Sequence, residues 1–251
     1  MDSGQPLSRD FFITFTMKTA EDFLNGQLLL IDKPLGWSSF QAVNKLKWAI
    51  RKKFDLKKIK IGHAGTLDPL ATGLLLICTG KFTKKISELQ GQAKEYIGTI
   101  TLGATTPSYD LETEIDKTFS VSHISKEMLE TAVKGFVGDI EQLPPIFSAL
   151  KKDGKRLYEY AREGKKVEIN RRTVTISEFE ITGMQLPEIR FRIVCSKGTY
   201  IRSLAHDLGL SLQSGGHLSE LRRTKIGDYN VNNAHDPNEF GEKLLGKIGD
   251  S

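Results

Sequence analysis

The chain has 251 residues, 39% of them hydrophobic, enough to bury a sizeable core as one large domain or two small ones. No run approaches the roughly 18 apolar residues of a membrane span, and the start, Met1-Asp2-Ser3-Gly4, lacks the basic-then-apolar build of a secretory signal, so a cytoplasmic protein is expected. The net charge of +5 and the pI near 9.0 favour a polyanionic partner wherever the cations cluster.

Residues 1 to 25 carry no periodic pattern beyond Phe11-Phe12-Ile13-Thr14-Phe15, and residues 1–24 are expected to be an N-terminal extension, with Met17 as a possible initiator. Leu28-Leu29-Leu30-Ile31-Asp32-Lys33-Pro34 reads as a strand entering a Pro-Leu-Gly turn. Ser38 or Ser39 then caps a helix with Phe40, Val43, Leu46 and Ile50 on one side. From Lys45 to Lys60 there are eight Lys/Arg and one acid, Asp55. Such a run is either a solvated face or a surface for phosphates, and its place just before a reactive loop favours the second.

That loop is Gly62-His63-Ala64-Gly65-Thr66-Leu67-Asp68-Pro69-Leu70-Ala71-Thr72-Gly73, and it leads into the buried strand Leu74-Leu75-Leu76-Ile77-Cys78. Glycines supply backbone freedom, and Pro69 biases Asp68 away from helix, so the carboxylate stands on a stiff turn. On residue types alone, Asp-Pro in a glycine-rich loop is a turn and His63 a hydrogen-bonded loop residue. A phosphate-binding loop at Thr79-Gly80-Lys81-Phe82 fails on spacing: Leu75 stands where the first glycine belongs, and Phe82 where a hydroxyl should hold magnesium. Gly80 to Lys85 reads instead as a helix start.

Lys94 to Gly103 alternates with period two, with Tyr96, Gly98, Ile100 and Leu102 on one face. Ser125 to Val137 is an amphipathic helix on Leu129, Ala132, Val133, Phe136 and Val137. Between Lys151 and Arg172 nine Lys/Arg face four acids, a second basic segment. Val174 to Ile181 and Ile189 to Val194 read as strands, leading to Cys195-Ser196-Lys197-Gly198-Thr199-Tyr200-Ile201-Arg202 and a helix with Ile201, Leu204, Ala205 and Leu208 on its apolar face. Arg202 on residue type alone is a surface arginine near Asp207 or one bonded to loop carbonyls. The two cysteines, Cys78 and Cys195, lie in apolar runs and read as buried free thiols; no Cys/His spacing suggests zinc. A polar tail is expected over residues 237–251.

Taken together, the Asp68 loop, Lys33-Pro34 with Gly36-Trp37-Ser38-Ser39, Lys94-Glu95-Tyr96, Pro144-Pro145 through Gly164, Ser196 to Arg202 and Leu218 to Thr224 closely resemble the motifs of the TruB family of bacterial tRNA pseudouridine-55 synthases, in family order from about Asn25 to Gly227. The resemblance implies an α+β fold, a mixed, largely antiparallel sheet flanked by helices, with residues 25–236 as the pseudouridine synthase catalytic domain. It implies isomerisation of a T-loop uridine of tRNA, with no cofactor, no nucleotide and no metal, by a monomeric enzyme. Asp68 would be the catalytic carboxylate, Arg202 its bidentate partner and Tyr96 the ring stacked on the target base. His63 would fill the space of the everted base, with Tyr200, Lys33 and Leu221 also among the substrate-contacting residues. The loop Gly103 to Asp110 departs from the family pattern, leaving the role of Asp110 open. Many members continue into a PUA-type RNA-binding domain, for which this chain has no room. A tRNA-folding chaperone without turnover, and a synthase for another RNA, are the alternatives; an intact Asp68, Tyr96 and Arg202 argues against the first.

Overall fold

The computed structural model describes residues 19–148, 150–165 and 167–247. Residues 1–18 of the expected N-terminal extension lie outside these residues, whereas residues 19–24 are described and join the first unit's core through Phe23. Two compact units are present, residues 19–91 with 224–247, and residues 92–223.

In the first unit, Thr19 caps α1 (Ala20–Asn25) in a reciprocal box with Asp22, and Phe23 is its buried anchor. β1 (Leu28–Lys33) buries all of its residues but Asp32 and follows directly. Ser38 and Gln41 form a second capping box at the start of α2 (Ser39–Phe54), which ends where Asp55 adopts a left-handed conformation at φ 51°. The buried face of α2 is Ala42, Val43, Leu46, Ala49 and Ile50. Phe40, expected on that face, is 69% exposed: it lies 60° to 120° around the helix from Val43, Leu46 and Ile50. β2 (Ile61–Ala64) and β3 (Ala71–Thr79) flank the Asp68 loop. A 3₁₀ segment, Gly80–Lys85, runs into α3 (Ile86–Gly91), as the helix start there predicts.

β1 and β2 both pair antiparallel with β3, and the β1–β3 register runs from Leu28 opposite Cys78 to Lys33 opposite Gly73. The apolar run thus forms one side of the core, and the ladder ends with Lys33 beside the loop. Both cysteines are free and buried; burial raises the Cys78 thiol to about 12 and the Cys195 thiol to about 11, so both stay protonated and unreactive at neutral pH.

In the second unit, β4 (Lys94–Leu102) buries Tyr96, Ile100 and Leu102 as the alternation predicts. A small hairpin joins β5 (Ala104–Thr105) to β6 (Lys117–Thr118). Next come α4 (Lys126–Lys134), capped by Ser125, and β7 (Gly138–Gln142). Another hairpin pairs β8 (Lys151–Lys152) with β9 (Lys155–Arg156) and leads into α5 (Leu157–Arg162). β10 (Arg172–Gln185) and β11 (Glu188–Cys195) form the long ladder, bordered by β7 on one side and β4 on the other, all antiparallel. α6 (Ile201–Ser211) buries Ile201, Leu204, Ala205 and Leu208, the apolar face read from its sequence.

β12 (Gly216–Ile226) carries the chain back to the first unit, where Lys225 and Ile226 pair with β13 (Tyr229–Asn230). The stretch read as a polar tail forms α7 (Pro237–Leu244), with Asp236 bonding the amides of Asn238 and Glu239 as cap and Pro237 at its start. Phe240 of α7 joins the core cluster of Leu29, Ile31, Leu46 and Ile50, a burial of about 1.5–3 kcal/mol for such a side chain. Every ladder named here is antiparallel, and an isolated parallel bridge joins Ile31 to His235. The class is the expected α+β with a mixed, largely antiparallel sheet and flanking helices. No helix among the described residues is long and apolar enough to cross a membrane.

Candidate active site

Asp68 sits half-buried between buried Leu67 and exposed Pro69 and Leu70. The amide of Ala71 donates to the Asp68 carbonyl at 3.1 Å, closing a β-turn with Pro69 at its second position, where a fixed φ is favoured. Gly65 (φ 94°) and Gly73 (φ 104°) bracket the loop with conformations that a β-carbon would oppose.

The turn is held from outside at three points. The hydroxyl of Ser39, the first residue of α2, donates to the Leu67 carbonyl at 3.1 Å and accepts from the Leu67 amide at 2.9 Å. The Gly36 amide donates to the Pro69 carbonyl at 2.9 Å. The Lys33 ammonium, on a fully buried side chain, donates to the carbonyls of Trp37 at 2.6 Å, Pro34 at 2.9 Å and Pro69 at 3.5 Å. Lys33 therefore ties the end of β1 to the turn rather than presenting its charge at the surface. Ser39→Ala should remove both bonds at Leu67 and lower any turnover that depends on Asp68 placement, with stability reduced by about 1–3 kcal/mol. Single-turnover rates beside a thermal melt check this. His63 lies on β2, opposite Ile77, partly exposed.

Tyr96, Tyr200, Arg202 and Leu221 belong to the second unit. Tyr96 lies opposite Ile193 and is 9% exposed. Its neighbour Lys94 is buried, and that burial, with repulsion from Arg223, lowers the ammonium to about 8. Tyr200 precedes α6, its backbone clamped by buried Gln142, which accepts from the Tyr200 amide at 2.7 Å and donates to its carbonyl at 3.0 Å. The Tyr200 ring carries Arg172 over one face at 5.8 Å. Leu221 lies on β12, partly exposed.

Arg202 is 3% exposed, which excludes the surface-arginine reading. Its Nη1 donates to the Ser108 carbonyl at 3.1 Å and its Nη2 to the Phe147 carbonyl at 3.0 Å, while Nε lies 3.6 Å from Oδ2 of buried Asp110. Asp110, left open by the sequence, is thus an ion-pair partner of Arg202. The Asp110 Oδ1 also accepts from the Glu112 amide, and its carbonyl from the hydroxyls of Thr106 and Ser108.

Between them Tyr109 adopts φ 64°, a left-handed conformation that costs a bulky residue roughly 1–3 kcal/mol. Its ring stacks on His206 of α6, centroids 4.0 Å apart and 15° from parallel, and its carbonyl accepts from the Leu218 amide at 2.9 Å. Burial lowers the His206 imidazole below its ordinary value, opposed in part by Asp116, and burial raises the Tyr109 phenol, aided by Asp207. A base held neutral by folding stabilises above its unfolded value, about 6.5, and that stability is lost as pH falls towards the lowered folded value. Melting temperature should therefore drop on acidification from pH 7 to 5, and His206→Phe, which keeps a stacked ring without the titration, should flatten the drop.

Each basic segment keeps cations that pair with no carboxylate among the described residues. In the second, Lys155 and Lys165 both pair with Glu163, and Arg162 approaches Glu112 at 3.7 Å. Arg192 on β11 is likewise ringed by Glu95, Glu178 and Glu180. In α2, Lys45, Lys47, Arg51, Lys52 and Lys53 pair with no carboxylate among the described residues, and in the second segment Lys151, Lys152, Arg156, Arg171 and Arg172 are likewise without one.

The first unit thus holds a half-buried carboxylate on an externally locked turn, and the second a buried arginine at a helix start. Residues 51–201 match the TruB family pseudouridylate synthase N-terminal domain and residues 202–245 the tRNA pseudouridylate synthase B C-terminal domain, so the chain belongs to the TruB family. The second match extends past Gly227, where the motif resemblance ends, and takes in α7. The chain is 69% identical over 227 residues to a tRNA pseudouridine synthase B of Flavobacterium johnsoniae, covering 90% of this chain and 99% of that one. It is 54% identical to one of Phocaeicola vulgatus, covering 89% and 95%. Among solved structures it resembles a chain of a Cbf5-Nop10-Gar1 complex, with TM-score 0.62 and 29% identity over 91% of this chain and 57% of that one. A chain of an H/ACA RNP bound to a substrate RNA containing 2'-deoxyuridine shares the fold, with TM-score 0.64 and 24% identity over 99% and 64%. The chain thus spans less than two thirds of the length of either.

Proposed function

We propose that this protein isomerises the T-loop uridine of tRNA, position 55, to pseudouridine. The carrying observation is the Asp68 turn, locked by Ser39, Gly36 and Lys33, in a chain of which 90% aligns at 69% identity with a tRNA pseudouridine synthase B. In the reaction the bond from N1 to the sugar breaks, the uracil turns, and a bond from C5 to the same sugar carbon forms. The C5 proton leaves and N1 ends protonated, so atoms and charge balance with no oxidant and no leaving group. Asp68 serves as the carboxylate that attacks or stabilises the electron-poor intermediate. Arg202 aims and keeps that carboxylate ionised, Asp110 holds Arg202, and Tyr96 stacks on the uracil. The base must be extruded from its folded loop at a cost of roughly a few kcal/mol, and His63 takes up the vacated stacking position. Tyr200 and Leu221 line the substrate side. The enzyme works as a cytoplasmic monomer on the T-arm.

Mass mapping of pseudouridine in tRNA after incubation with the pure protein tests this: product at position 55 is expected, and product absent there, or in another RNA only, would overturn it. The five uncompensated cations of α2 also set a salt dependence. If about five phosphates are neutralised, log affinity should fall with log salt at a slope near −4. A slope near zero in filter binding would make these cations a solvated face.

A further inference from the structure

The outer face of α2 is unlike the rest of the described surface. Phe40 is 69% and Trp48 50% exposed, large aromatic rings that elsewhere in this chain are mostly packed away. With Asn44 they stand at i, i+4 and i+8, within 80° of one another around the helix, opposite the buried Ala42–Leu46–Ala49 side. Arg51 falls between Phe40 and Trp48 on the same face, Lys47 and Lys52 border it, and the Lys52 ammonium lies over the Trp48 ring at 4.9 Å. The helix contains no acid, and its five cations pair with no carboxylate among the described residues. Desolvating an aromatic ring beside so much unneutralised charge is unfavourable for a protein partner with an apolar face. It suits one whose flat bases alternate with phosphates.

We infer that this face is a base-stacking platform: an unpaired base of the tRNA lies on Trp48, its flanking phosphates meet Lys47, Arg51 and Lys52, and Phe40 offers a second ring about 12 Å along the helix. This rests on tRNA being the substrate. It adds a contact distinct from the Asp68 turn, since Ser39, at the start of the same helix, faces the turn from the opposite side of α2.

The chain has two tryptophans, so Trp37→Phe leaves Trp48 as the sole emitter. Its emission should be quenched on adding tRNA, with the same midpoint as filter binding, whereas heparin, charged but without bases, should bind without quenching. Trp48→Ala should weaken tRNA affinity about tenfold, Trp48→Phe should restore most of it, and both should keep kcat at saturating RNA and the wild-type melting temperature. Unchanged emission at saturating tRNA, equal quenching by heparin, or wild-type affinity in Trp48→Ala would overturn the platform. Since pseudouridine formation is measured in the same samples, its absence would instead count against the assigned reaction.

Discussion

Asp68→Asn is expected to remove turnover, at least about 10⁴-fold or about 5.4 kcal/mol of transition-state stabilisation, while tRNA binding stays within a few fold of wild type. The structure explains why the two effects should separate. The contacts that fix the turn use backbone groups: the Asp68 carbonyl, the Pro69 carbonyl, and both the amide and the carbonyl of Leu67. An amide side chain of the same size leaves these backbone contacts in place while removing the carboxylate's charge. Affinity is assigned to cations elsewhere, chiefly α2. Release of tritium from C5 of labelled uridine in tRNA, measured beside filter binding, reads the two quantities in one preparation. Substantial release by pure Asp68→Asn would take the catalytic role from this residue; binding lost in parallel would show that the carboxylate shapes the loop rather than reacts.

The Asp68 turn was legible because its determinants are local: a proline after the aspartate, glycines on both sides and a buried strand behind it. The locking residues were not. Ser39 and Leu67 are 28 positions apart, and nothing in either residue type announces the bond. Asp110 escaped for a related reason, since its loop departs from the family pattern and its significance lies in a contact with Arg202, 92 positions on. Two misses had readable signals. Asp236-Pro237 is an N-cap followed by a proline at the first helical position, and Phe240 with Leu244 gives an i, i+4 apolar pair, sufficient to predict α7. Phe40 begins an apolar series in the sequence, but its angle puts it beside Arg51 and away from the buried face. Charge counts alone do not say which cations of a basic segment are paired: Lys155 and Lys165 form ion pairs with Glu163 only once the chain is folded.

Arg202→Lys is expected to lower turnover at least about tenfold, or about 1.4 kcal/mol, with tRNA affinity little changed. The guanidinium sends Nη1 and Nη2 to two different carbonyls, Ser108 and Phe147, while Nε faces Asp110. A lysine ammonium is a point donor on a flexible stem and cannot span the three in that fixed geometry, so the loop holding Ser108, Tyr109 and Asp110 loses one of its ties. Lowered stability should accompany the loss, because the site is buried. Arg202→Ala should be worse, about 3–5 kcal/mol, since it leaves the Asp110 carboxylate buried without its partner. Asp110→Asn separates scaffold from chemistry: it removes the ion pair yet leaves both carbonyl bonds to Arg202 possible. If Arg202 also aims Asp68, Arg202→Lys should lose more rate than Asp110→Asn at equal loss of melting temperature. Rates that follow melting temperature alone across the three variants would confine Arg202 to holding the loop.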